Sequence, residues 1–417
     1  MRASWLVVLA CDLGLCGGCL RIGGTTTDVS PALVRNPPLI FYPRFVFVAN
    51  SDSNTISGYR ITDNGFLEPF ATVPVATGVH PGYLAASPFH KFLYVANLGS
   101  HTISGYLIDR NTGQLTECPA SPFAVSSDDI RGMVASGTGS LYVATLHNGI
   151  WEYAIDERQT GNLTKVFGSG SAAPDQIGGI AMDIFERYLF VAKPSTNSVG
   201  LYALDGVTGN PSPIVGSDVP TGSQAPRWFG ISPDGTFVYA GNTQSMNLSA
   251  FKVDGQNGRL IPVTNSPFAA GISPSTAGTP SAMTTVELSG CCCSGNLFAY
   301  VSNINTNDNA IAELGIANDG GLHLDPLFNG LAAMPDPYAV AGATVAGINF
   351  VHVVNRSAAT VQSWVVDDGC GGVNSRAGDL LSGASRPTGK GPEAIIVTGR
   401  FVRGDVRTVP PVNRSPR

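Results

Sequence analysis

Pro81-Gly82-Tyr83-Leu84-Ala85-Ala86-Ser87-Pro88 opens a stretch that continues with Lys91-Phe92-Leu93-Tyr94-Val95-Ala96-Asn97. Then come His101-Thr102-Ile103-Ser104-Gly105-Tyr106-Leu107-Ile108-Asp109 and Asn111-Thr112-Gly113-Gln114-Leu115. These are short runs rich in β-branched and aromatic residues, each bounded by turn residues, and such runs read as strands. Asn-Thr-Gly is hairpin chemistry, because Asn and Gly tolerate positive φ.

The pattern recurs along the chain. The residue after the apolar Tyr-Val-Ala core falls at Asn50, Asn97, Thr145, Lys193, Asn242, Asn303 and Asn355. Strand starts fall near Pro81, Ile130, Ile177, Pro226, Pro280, Pro337 and Pro392. Intervals of 47, 48, 48, 49, 61 and 52 residues suit four strands of ~5–6 residues plus turns, which is one propeller blade. The two series are out of phase by one strand. Phe45-Val46-Phe47-Val48-Ala49 has no Pro-led strand before it, and Pro392-Glu393-Ala394-Ile395-Ile396-Val397 has no Tyr-Val-Ala strand after it. The expected fold is all-β: a seven-bladed β-propeller over 41–407, with residues 392–398 forming the innermost strand of the blade that residues 44–75 complete. Closing the ring this way protects edges that would otherwise template aggregation.

Composition agrees. Gly and Pro number 50 and 29 of 417 residues, and only 13% of residues are charged. That excludes a helical bundle or coiled coil. A net charge of −6 gives no electrostatic reason to expect nucleic acid.

Met1-Arg2 followed by Trp5-Leu6-Val7-Val8-Leu9-Ala10-Cys11 has the outline of an export signal, too short to span a membrane. Val8-Leu9-Ala10-Cys11 is similar to a bacterial lipobox, which makes Cys11 the expected lipidation site and 1–19 the signal segment. Cys16 and Cys19 are rival positions. Residues 20–40 read as a flexible linker and 408–417 as a disordered tail. The expected location is the cell envelope or beyond it, either held by the lipid or free.

The repeat resembles the YVTN-type propellers, and within them the lactonase-type seven-bladed family that includes the propeller 6-phosphogluconolactonases. Leu93-Tyr94-Val95-Ala96-Asn97, Thr102-Ile103-Ser104-Gly105-Tyr106, Asn111-Thr112-Gly113-Gln114-Leu115, Ser121-Pro122-Phe123 and Pro226-Arg227-Trp228-Phe229-Gly230-Ile231-Ser232-Pro233-Asp234-Gly235 carry the likeness. Hydrolytic members usually read Gly-Pro-Arg-His where this chain reads Ala225-Pro226-Arg227-Trp228. The following strand in those members tends to end in Asn-Glu, where Gly241-Asn242 stands here. In the blade before, the family's His and its Asp-Leu-Gly-x-Asp segment are replaced by Ile177-Gly178-Gly179-Ile180 and Ala192-Lys193-Pro194-Ser195-Thr196-Asn197. The resemblance thus implies the fold, with one family cation retained and the usual bases gone.

Loops on one face should rim the central channel. Arg131, Lys193 and Arg227 would give that rim a positive ring suited to a carboxylate or phosphate, joined by Trp228, Asn97 and Asn242. The strand-end Asn residues have a second reading, as caps that satisfy backbone groups. His80, Arg227 and Glu393 are the catalytic candidates, because opening a lactone needs a base and a cation. Two functions remain open: a ligand-binding or scaffold module, and a hydrolase of cyclic sugar esters. The expected partners are a small anionic or sugar-like ligand and an envelope protein, with the membrane reached through the N-terminal lipid alone. The histidines show no metal-ligand spacing, so neither metal nor cofactor is expected. Cys291, Cys292 or Cys293 could pair with Cys370 in an exported chain, and Cys118 has no obvious partner.

Overall fold

The computed structural model describes residues 39–403, apart from 72–73, 126–128, 169–175, 256–257, 272–277, 289–295, 305–310, 325–333, 335, 346 and 369–376. Cys11, Cys16, Cys19, Cys291, Cys292, Cys293 and Cys370 lie outside the described residues, so lipidation and the disulfide have no structural reading. Among the described residues there are strands and no helices, and they form seven antiparallel sheets.

Blade 2 shows the plan. Its strands are Pro81–Ala86, Phe92–Asn97, Thr102–Ile108 and Leu115–Glu117, in that order from the channel outward. Blade 3 opens at Ile130, blade 4 at Gly179, blade 5 at Pro226, blade 6 at Thr279 and blade 7 at Pro337. In blade 1 the inner strand is Pro392–Arg403, paired to Leu39–Asn50, which pairs to Thr55–Ile61. The chain ends therefore close the ring as the out-of-phase repeat requires, and the seven inner strands touch in succession around the channel.

The second strand of each blade explains the low charge. Phe92–Asn97 is buried at every position, because its two faces meet two neighbouring blades. Phe92, Tyr94 and Ala96 pack against blade 3, while Leu93 and Val95 pack against blade 1. The same alternation yields seven apolar clusters, one per blade interface. A propeller is held by these interfaces, since a lone blade buries neither face.

The turn glycines serve the same interfaces. Gly161, at the outer hairpin of blade 3, has φ +70, and a Cβ there would lie 2.3 Å from the Phe92 ring of blade 2. Only glycine suits that conformation and that approach. The Tyr94 hydroxyl completes the latch by donating to the Gly161 carbonyl at 2.8 Å, and Tyr142 does the same to Gly209 at 2.8 Å. The Tyr of the repeat is thus a clamp between blades. Cys118 is a buried free thiol in the cluster between blades 2 and 3, and burial pushes it up to about 11.

Candidate functional site

Each inner strand starts at one face of the ring, and in six of the seven the pairing there slips by one residue. Pro81 pairs Asn97 but Tyr83 pairs Ala96, which leaves Gly82 extra. The same slip isolates Arg131, Arg227, Ser281, Tyr338 and Glu393. Six β-bulges thus stand at one level of the channel mouth. A bulge kinks the strand and re-aims its extra side chain. In blade 4 the ladder begins at Gly179, opposite Ala192, and Gly178 donates to the same Ala192 carbonyl at 2.8 Å.

Backbone bonds fix the mouth. The blade-opening residues His80, Ala225, Asp336 and Gly391 all have positive φ. Their carbonyls accept N–H groups from Leu98, Thr243, Arg356 and Ser51 at 2.7–3.0 Å. Arg356 is therefore tied to the rim by its own main chain.

The charged groups form two sets. Glu393 is nearly buried, its side chain 8% exposed, and it holds Arg356 at 2.9 Å and His80 Nε2 at 3.4 Å. Arg356 also reaches Asp52 at 3.6 Å and lies over the Tyr338 ring. With Nε2 turned to the carboxylate, the proton of neutral His80 belongs on Nε2 and the basic lone pair on Nδ1. Across the channel stand Arg131, bonded to Asp129 at 2.8 Å, and Arg227, which has no carboxylate partner among the described residues.

Tyr83 ties the two sets together. Burial raises its phenol, the Arg227 and then the Arg131 guanidinium pull it back down, and Glu393 pushes it up. Tyr338 is raised by burial and then by Glu393, lies in the same field as Arg356 and Arg227, and feels Tyr83 as well. Charges from blades 1, 3, 5 and 7 thus meet around two half-buried phenols. This is a polar basin with an acid–base pair on one side and guanidinium groups on the other. No group of three or more metal-ligating side chains occurs among the described residues.

Residues 42–129 and 154–272 match the lactonase family of seven-bladed β-propellers. The chain belongs to this family. The periplasmic gluconolactonase of Pseudomonas aeruginosa superposes with a TM-score of 0.67 at 20% identity, over 86% of this chain and 100% of its own. A Lactobacillus plantarum protein gives 0.64 at 19%, over 87% and 100%. A Bacteroides fragilis protein provisionally assigned as a 6-phosphogluconolactonase gives 0.67 at 17%, over 86% and 98%. At such identities the likeness concerns the fold. No curated protein matches the chain in sequence.

Within this lactonase-family frame, His80 and Glu393 pair at the mouth, and Arg227, Arg131 and Glu393 all act on Tyr83 there. Four other expected residues turn elsewhere. Trp228 follows the bulge, so its ring enters the interface of blades 5 and 6 and covers Gly241, while Nε1 donates to the Pro280 carbonyl at 2.8 Å. Lys193 bends outward over Gly200 to Asp218, at 2.6 Å. Asn97 is buried, with its amide donating to Thr102 and Ser104 at 3.2 and 2.9 Å. Asn242 is likewise spent on Asn247 and Ser249 at 2.9 and 2.8 Å. The strand-end asparagines bind their own blades. Tyr83, Tyr338 and Arg356 belong to the basin although sequence reasoning passed over them. Arg356 had one signal, its place directly after the tracked Asn355.

Proposed function

We propose that the channel mouth binds a small sugar-derived carboxylate or phosphate and opens its cyclic ester. The observation that carries this reading is the His80–Glu393 pair facing Arg227 and Arg131 across one basin. A base oriented by a carboxylate is the arrangement that activates water. His80 Nδ1 would take a proton from water as the oxygen attacks the lactone carbonyl. Arg227 would hold the developing oxyanion and then the product carboxylate. The imidazolium would return its proton to the departing ring oxygen, giving the open hydroxy acid. The base comes from blades 1 and 2, in place of the family position filled by Trp228.

A second reading has its own support. Trp228 and Gly241-Asn242 leave the usual family bases unfilled, as a pure binding module would. Purified protein assayed with glucono-δ-lactone and its phosphate separates the two. Turnover lost in Arg227→Ala supports the hydrolase, whereas saturable binding of gluconate without turnover supports the binding module. We also infer export and lipid attachment at Cys11, from the basic start and the apolar run before it. Loss of palmitate labelling in Cys11→Ala tests that attachment.

A further inference from the structure

The opposite face of the ring carries a second polar feature. Where blades 1 and 2 meet, Arg44, Phe45, Phe89, His90, Ile108, Arg110 and Gly399 line a cleft. It contains no carboxylate. Arg44 lies over the Phe45 ring and donates through Nη1 to the Arg110 carbonyl at 2.5 Å. Neither guanidinium has an ion-pair partner among the described residues. The nearby Glu157 carboxylate accepts from Ser87 at 3.0 Å and lies within the field of Lys91 and then Arg110. His90 Nδ1 accepts the Gly399 N–H at 3.1 Å, and burial holds this imidazole down at about 4, so it adds a neutral wall.

Aromatic side chains rim the cleft. Phe89 is 53% exposed and Phe41 36%, with the Phe41 ring edge-on to His90 at 5.0 Å, and Tyr42 next to it in the strand is 44% exposed. Phe41 and Tyr42 belong to a ribbon in which Leu39–Pro43 pairs with Gly399–Arg403 beyond the body of the blade. The residues that precede Leu39, the proposed lipid site Cys11 among them, therefore join the fold at this face. The channel mouth lies at the other end of the same strands.

We propose that this cleft seats the phosphate of an anionic phospholipid, holding the face opposite the mouth against a membrane. Two facts point there independently. Basic groups among exposed aromatics suit the headgroup level of a bilayer, and the chain that carries the proposed lipid site Cys11 enters the fold on that side. The mouth then faces away from the bilayer, open to solutes.

The full chain, with Cys11, Cys16 and Cys19 replaced by Ala so that no acyl chain contributes, is sedimented with phosphatidylcholine vesicles with and without phosphatidylglycerol. Binding should require phosphatidylglycerol and fall roughly tenfold or more in Arg44→Glu/Arg110→Glu. Lys252→Glu/Arg259→Glu, the same charge change on blade 5, should leave binding unchanged. Arg44→Gln/Arg110→Gln provides the milder variant, and circular dichroism confirms that each protein folds. Equal loss in the blade 5 variant, or binding indifferent to phosphatidylglycerol, overturns the proposal. So does a cleft that takes inorganic phosphate or glycerol phosphate while the protein ignores vesicles.

Discussion

Two rings of side chains circle the same mouth, and they differ in what the repeat does to them. The strand-end ring is nearly constant: Asn50, Asn97, Asn242, Asn303 and Asn355. The first three donate to a hydroxyl or amide five positions on and to a serine seven positions on. The bulge ring varies: Glu393, Gly82, Arg131, Arg227, Ser281 and Tyr338, with only Arg occurring twice. A demand common to all blades fills a position uniformly. A demand made once, by a ligand on the axis, fills it differently in each blade. The constant ring holds the fold, and the variable ring is the one proposed to meet the ligand.

The sharpest break in this comparison comes from the base. His80→Ala should lower lactone turnover about 10²–10⁴-fold with little change in thermal stability, as read by steady-state kinetics beside a melting curve. Arg227→Ala should cost about 10²–10³-fold in kcat, again with a surface-sized stability change. If both variants instead melt early and keep their activity, the bulge ring is structural.

Acid should act through the blades. His352 is fully buried, bonded to Ser363 at 2.9 Å and held down at about 4 by burial. The unfolded chain, with its histidine near 6.5, binds the proton first. Unfolding free energy should therefore be full above about pH 6.5 and fall as pH drops toward 4, by up to about 3 kcal/mol. Denaturant melts across that range should show this slope, steepened by His90, which burial also holds at about 4, and His352→Gln should reduce it by about half without moving the lactone KM at neutral pH.

The smallest expected change is Asn242→Ala, at about 1–3 kcal/mol of stability. It leaves Ser249 and Asn247 without the amide that joins them, and ligand affinity should stay as it was. Urea unfolding beside gluconate titration reads both halves.

Seven blades and their closure were legible because Tyr-Val-Ala and the Pro-led strands repeat in step. Both faces of each second strand meet neighbouring blades, so the apolar run is dictated there. The mouth was legible only in part. His80, Arg131, Arg227 and Glu393 are chemically conspicuous at blade openings. Alternation cannot show a bulge, and one extra residue moves every later side chain to the other face. That is why Trp228 was expected in the channel but packs between blades, while Tyr338 sits at the axis. Lys193 and Asn97 found partners within their own blades, a choice that depends on loop paths such as the one bringing Asp218 to Lys193.

A thermal-shift titration with gluconate across wild type, Arg227→Ala and Asn242→Ala tests the two-ring division in one measurement. A ligand that binds the native state raises the melting temperature in proportion to its occupancy. Wild type should rise with gluconate. Arg227→Ala should melt where ligand-free wild type melts and show no rise, and Asn242→Ala should start lower and rise as far as wild type. A ligand shift that survives in Arg227→Ala and disappears in Asn242→Ala would contradict the division.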